Sequence, residues 1–387
     1  MQAGERIHSM DNLRALAMLA GVVFHAALAY SPLMHPVWPA ADAGRSVVVD
    51  AVAWFLHMFR MPLFFVVAGY FAALLVARRG MAGLFRNRCA RVLLPLVLFL
   101  PVVVACMYWL TAHAAASVAH PSPALAWIRG YIGEHGAMPF LPGWAHLWFL
   151  FYLMLFTVLV WVASALEFGR IGDRLAALPP SVLALAMPLP LALALAGTGV
   201  PWPAPEFLLP ALWALAFFGL YFALGYQIFR WPAMLDRLHP LSPLLLGGGI
   251  AAYVVLFWSS EGITAIRATP SRHFLHAVLE ACAGLWMTLW CLLAAKRWLA
   301  GRSATMRWLA DASYWVYLVH LPLLFAVQYR LLDLSLHWSA KFAISTASTL
   351  MLSFASYPLL VRHTPIGRLL NGKPSKTRRM EDVANAV

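Results

Sequence analysis

Hydrophobic positions along this chain fall into long, nearly continuous blocks, not into the alternating or one-sided stripes of a soluble domain. The blocks lie at roughly 12–31, 48–76, 92–112, 144–166, 178–198, 207–229, 242–259, 274–295, 311–332 and 340–361. Most reach the ~20 apolar residues that a helix needs to cross a bilayer. The pattern predicts an all-α, polytopic membrane protein with about ten transmembrane helices. The fifth block is the least regular, because Pro179, Pro180, Pro188 and Pro190 interrupt it. Neighbouring helices must satisfy the carbonyls that such prolines leave free. The first block follows a polar start without a small-residue cleavage site, so it reads as a retained span, not a signal peptide.

Composition points the same way. Of 387 residues, 63% are hydrophobic and 11% charged, with mean hydropathy +0.76. A soluble domain carries about 25% charge, so this chain has too few charges to build a water-facing surface. The net charge of +13 raises nucleic acid as a partner, but its distribution argues for a lipid bilayer instead. With a cytoplasmic N-terminus, twenty Lys and Arg fall on the inner side and six on the outer side. This positive-inside asymmetry predicts that both termini are cytoplasmic. Trp38, Trp127, Trp144 and Trp202 fall near outer ends, where an aromatic belt is expected. The organisation predicted is one membrane domain, 1–365, and a short basic cytoplasmic tail, 366–387. No internal repeat is visible, where an inverted-repeat transporter would show one. Cys89, Cys106, Cys282 and Cys291 lie in apolar contexts with no C-x-x-C pair, so neither a disulfide framework nor a metal site is expected.

Ionisable residues inside spans are costly and therefore candidates for function. In the first span Asp11, Arg14, Met18, Gly21 and His25 follow helical spacing. Arg14 and His25 are three turns plus about 20° apart, so they share a face, separated by roughly 16 Å along the axis. Asp11 is placed to pair with Arg14. The second span carries His57 and Arg60, one turn apart, followed by Pro62, which tends to kink a helix. Arg60 is too deep to snorkel and needs either an anionic ligand or an ion pair. The simplest ion-pair partner is Glu280, the one acidic residue deep in a span. The ninth span places Ser313, Tyr317 and His320 on one stripe, and His146 stands at the outer end of the fourth. After the second span come Arg78, Arg79, Arg86, Arg88 and Arg91, the last two forming R-x-x-R as the third span begins. Such a cluster suits the phosphates of a nucleotide-like ligand. There is no G-x-S-x-G, H-E-x-x-H or P-loop, and the G-x-G-x-x-A of Gly247–Ala252 lies within a span, which makes it a close-packing motif.

Arg14-x10-His25, the R-x-x-R of Arg88 and Arg91, "PLFFVVAGYF" and "YLVHLPL" together resemble the acyltransferase-3 family of membrane acyltransferases. "HMFRMPLFFVVAGYF", "HLWFLFYL", "GLWM", "ASYWVYLVHLPL" and "NGKP" are similar to its glucan biosynthesis protein C branch, which succinylates osmoregulated periplasmic glucans. The resemblance implies a multi-pass protein of the bacterial inner membrane. It implies acyl-CoA, as succinyl-CoA or acetyl-CoA, as a donor substrate from the cytoplasm, with no bound cofactor. It further implies an extracytoplasmic glycan hydroxyl as acceptor and glucan-synthesis proteins as partners. Under that reading His25 is the general base, Arg14 and Asp11 complete the catalytic set, and Arg88 and Arg91, with Arg86, hold CoA phosphates. Arg60, His57, His146, Tyr317, His320 and Glu280 line the channel. No serine or cysteine is clearly set beside a histidine, which favours direct transfer over an acyl-enzyme. The same spans and buried charges would also suit a transporter of a small anionic or sugar substrate, or an acyltransferase for another envelope acceptor.

Overall fold

The computed structural model describes residues 8–140, 142–166, 172–174, 177–260, 270–301 and 303–371. The basic tail thus lies outside the described residues from 372 on, as do Arg6, Arg170, Arg267 and Arg302. The chain is all-α. The helices are α1 (His8–Ala27), α2 (Val47–Arg88), α3 (Leu94–Ser117), α4 (Pro123–His135), α5 (Trp148–Ala165), α6 (Pro180–Ala186) and α7 (Pro188–Leu195). They continue with α8 (Leu212–Arg230), α9 (Ala233–Leu238), α10 (Ser242–Ser259), α11 (Pro270–Trp298), α12 (Ala304–Leu331), α13 (Trp338–Tyr357) and α14 (Pro365–Asn371). Among the described residues the sole β pairing is an isolated bridge between Gly143 and Phe207.

Eight helical stretches among the described residues are long and apolar enough to cross a membrane. One of them, Val47–Ser117, has 71 residues. At ~1.5 Å per residue it exceeds three hydrocarbon cores, so it must fold back as two spans. The reversal combines Gly80, whose φ of 68° only glycine adopts cheaply, with a π-helical turn at Cys89–Leu93. Gly80 is the one position of α2 with non-helical dihedrals; Pro62 is carried inside the helix. Counted this way, nine of the ten expected spans are full length. The fifth is not. Its prolines leave only α6 and α7, Pro180–Leu195, too short for a full crossing.

Burial separates two environments. The outward faces of α3, α10 and α13 expose Val97, Val102, Val254, Val255, Met351 and Leu352. Such a density of exposed aliphatics belongs against lipid. The interior is built on α2 and α8, whose backbones cross in direct contact. A Cβ at Gly69 would run into the Phe222 carbonyl, and one at Gly225 into the Val66 carbonyl. Small residues permit this approach, which is a main source of helix association in a bilayer. The Gly247–Ala252 motif packs likewise: a Cβ at Gly249 would lie 2.9 Å from the Met287 side chain. Trp202 departs from the aromatic-belt expectation. It is 1% exposed and packs inside the bundle. The loop that carries it folds inward, so proximity to a span end along the chain did not place it at the membrane surface.

Candidate active site

A cavity of about 790 Å³ runs through the bundle, lined by α1, α2, the π turn, α5, α12 and the loop before α8. His8, at the start of α1, and Leu370, in α14, border the same end of it. At that end stand Arg14, Arg88 and Arg91. Arg14 pairs with Asp11 at 3.4 Å and donates to the Ala310 carbonyl at 3.4 Å. Arg88 donates to the Ala68 carbonyl at 3.3 Å, and the Tyr314 hydroxyl donates to the Arg91 carbonyl at 2.9 Å. The R-x-x-R pair therefore straddles the junction of α2 and the π turn, and that junction turns both side chains to the cavity. Arg86 does not line this cavity. It is exposed and lines a second, smaller cavity of about 400 Å³, which Asn87 and Arg91 also border. Two positions before Arg88 on the same helix, it points to about the opposite face.

The middle of the cavity holds the histidines. His25 Nδ1 lies 3.0 Å from His320 Nε2, and His320 Nδ1 faces the carbonyls of Val316 at 3.1 Å and Tyr317 at 2.9 Å. His146 Nε2 donates to the Tyr317 carbonyl at 3.1 Å, while the Tyr317 hydroxyl donates to the His146 carbonyl at 2.7 Å. This reciprocal pair locks α12 to the turn preceding α5. Arg60 lies with its guanidinium carbon 4.6 Å from the centre of the Phe24 ring. It also rests on Gly21, where an added Cβ would be 2.9 Å from Arg60 Nη1. Gly21 makes room on the α1 stripe for the arginine of α2.

Of the two alternatives for Arg60, the ion pair with Glu280 does not form. Glu280 Oε1 accepts from the Trp202 amide at 3.1 Å, and Glu280 is absent from the cavity wall. The Trp202 carbonyl accepts from His57 Nε2 at 2.9 Å, and the two rings stack at 3.8 Å. Depth in the membrane suggested Glu280 as the partner. Its helical face instead points at the inward loop, whose unpaired backbone must find hydrogen bonds inside the protein. Among the described residues the Arg60 guanidinium has neither a carboxylate partner nor a hydrogen bond.

Residues 7–358 match the acyltransferase domain that defines the acyltransferase-3 family. The chain belongs to that family. Glucans biosynthesis protein C of Escherichia coli O81 (strain ED1a) is 26% identical over 396 aligned positions, covering 99% of this chain and 98% of that protein. The protein of the same name from Escherichia coli (strain K12) gives the same identity and coverage. No solved structure matches the chain. This acyltransferase-3 chain is a membrane acyltransferase.

Hydrogen-bond logic assigns the tautomers in this acyltransferase. A carbonyl only accepts, so the proton of neutral His320 is on Nδ1 and its Nε2 carries a lone pair. The proton in the His25–His320 bond then belongs to His25 Nδ1. His25 Nε2 is left unprotonated on the cavity wall, as a general base requires. His320 thus stands to His25 as an orienting group stands to a catalytic imidazole. The stripe Ser313–Tyr317–His320 was legible in the sequence, but the contact with His25 was not, because it joins α1 to α12.

At the loop end of the cavity, an ionisable residue escaped sequence reading. Glu206 sits in the irregular segment before α8 and lines the cavity at the end away from Arg88 and Arg91. Its side chain is open to the cavity yet surrounded by protein, and burial pushes its carboxyl up to about 7. The available signal was a lone acid in the proline- and tryptophan-rich run "PWPAPEF".

Proposed function

We propose that this protein transfers an acyl group, succinyl or acetyl, from cytoplasmic acyl-CoA to a hydroxyl of an extracytoplasmic glycan, a periplasmic glucan by analogy with its relatives. In this reading it works in the bacterial inner membrane, with both termini cytoplasmic and with glucan-synthesis proteins as partners. The observation that carries it is a single cavity joining the arginine pair to the histidine cluster and continuing to the loop at the far end. A donor and an acceptor entering from opposite sides would meet at His25.

The chemistry then balances within the site. His25 Nε2 takes the proton of the acceptor hydroxyl as its oxygen attacks the thioester carbonyl. The tetrahedral intermediate collapses, the C–S bond breaks, and the imidazolium returns the proton to the CoA sulfur. The products are an ester and free CoA. Arg88 and Arg91 hold phosphates by charge-assisted hydrogen bonds. Arg14, roughly 16 Å along α1 from His25, is too far to polarise the carbonyl and suits the pantetheine arm between phosphates and sulfur. Arg60, uncommitted in a low-dielectric cavity, is suited to the free carboxylate of a succinyl donor, and this favours succinyl over acetyl.

The test is to supply membranes containing the protein with labelled succinyl-CoA and labelled acetyl-CoA, and to follow the label into glycan. Label in glucan from succinyl-CoA is the expected result. No transfer from either donor, with CoA thioester left intact, would sink the proposal.

A further inference from the structure

We propose that Glu206 anchors the acceptor, its carboxylate accepting hydrogen bonds from vicinal hydroxyls of a carbohydrate at the loop end of the cavity. This deepens the proposed function and rests on it.

The backbone around Glu206 is fixed while its side chain is free. Its carbonyl accepts from the Trp144 amide at 2.6 Å, and its own amide donates to the Ala204 carbonyl at 3.0 Å. The bridge Gly143–Phe207 lies alongside. A Cβ at Gly143 would lie 2.7 Å from the Glu206 carbonyl, so only glycine permits this approach. Two residues on, the Leu208 carbonyl accepts from Trp144 Nε1 at 3.3 Å, and the Ala211 amide donates to the Tyr152 hydroxyl at 2.9 Å. On the other flank, Trp202 is clamped by Glu280 and His57. A loop tied at this many points fixes the backbone from which the carboxylate projects, which lowers the ordering cost of binding.

The ligand class follows from what surrounds the group. No side chain among the described residues bonds to the Glu206 carboxylate, and no ion pair engages it. A carboxylate left this way in a protein-walled site gains from hydrogen-bond donors supplied by a ligand. No cluster of three His, Cys, Asp or Glu that could hold a metal is present among the described residues, and one carboxylate alone does not make a cation site. The acyl donor does not fit, because its phosphates are anionic and the arginine pair lies at the opposite end. A neutral polyhydroxyl ligand supplies donors without charge.

The test is equilibrium binding of a labelled β-gluco-oligosaccharide to the full chain in nanodiscs, for wild type, Glu206→Ala and Glu206→Gln, with acyl-CoA binding measured in parallel. Wild type should bind saturably. Glu206→Ala should weaken the oligosaccharide about 10- to 100-fold, Glu206→Gln should weaken it less, and acyl-CoA affinity should be unchanged in both. If wild type binds and both variants bind as well as it does, Glu206 is not the anchor, while the proposed function stands. If wild type itself fails to bind, the glycan acceptor falls and this inference with it. If Glu206→Ala also loses acyl-CoA, the glutamine variant decides. Normal oligosaccharide affinity there, or a loss of both ligands, overturns the anchor.

Discussion

At the residue scale, the proton on His320 Nδ1 decides the rest. Because two carbonyls face that nitrogen, His320 can only accept from His25, and His25 can only present a lone pair to the cavity. His25→Ala should therefore lower kcat by about 10²–10⁴-fold with acyl-CoA affinity retained, measured as transfer against direct donor binding in the same membranes. If His320 acts through His25 as proposed, its substitutions should be graded. Glutamine, which can still accept from His25 Nδ1, should recover much of the activity that alanine loses. Equal losses for the two would mean that His320 has only a packing role. Arg60 is resolved by changing the donor. If it meets the far carboxylate, Arg60→Ala should lose succinyl transfer while sparing acetyl transfer. A comparable loss with both donors would place Arg60 at the thioester oxygen instead. Folded, detergent-stable protein is expected in either case, since the arginine is not holding Glu280 in an ion pair.

At the scale of elements, the junction between α2 and α3 carries the most information. Arg88 and Arg91 stand about one turn apart and so share a face, while Arg86, about 200° round the helix from Arg88, faces only the second cavity, which Arg91 also borders. The π turn at Cys89–Leu93 leads into α3, and Tyr314 of α12 holds it through the Arg91 carbonyl. Replacing Arg88 and Arg91 together by alanine should raise the KM for acyl-CoA at least tenfold, through the loss of charge-assisted phosphate contacts. Dephospho-CoA thioesters and full CoA thioesters should then become less distinguishable. The Arg14–His25 stripe and the pairing of Asp11 with Arg14 were readable from helical periodicity, because both depend only on geometry within α1. The alternative between an Arg60–Glu280 pair and an anionic ligand stayed open in the sequence, because closing it required knowing which faces of α2 and α11 meet.

For the whole molecule, the continuous cavity makes a statement about sidedness. In sealed vesicles with the arginine-rich face outward, acyl-CoA added outside should acylate glucan trapped within. Acylation that requires both substrates on one side would contradict transfer through the membrane. Helical character, and nine of the ten expected spans, were open to inspection in the chain. Hydrophobic block length is set by bilayer thickness, and a span must satisfy its own backbone, so an all-α polytopic protein follows from sequence alone. The same local rules exposed the R-x10-H and R-x-x-R pairs. Tertiary structure alone decided the rest. It joined His25 to His320 across α1 and α12, left Arg60 without a carboxylate, set Glu280 behind Trp202, and brought Glu206 to the cavity from an irregular loop. These are contacts between distant segments, fixed by which helix faces pack and by where non-helical backbone finds its hydrogen bonds, and no periodicity within one segment encodes them.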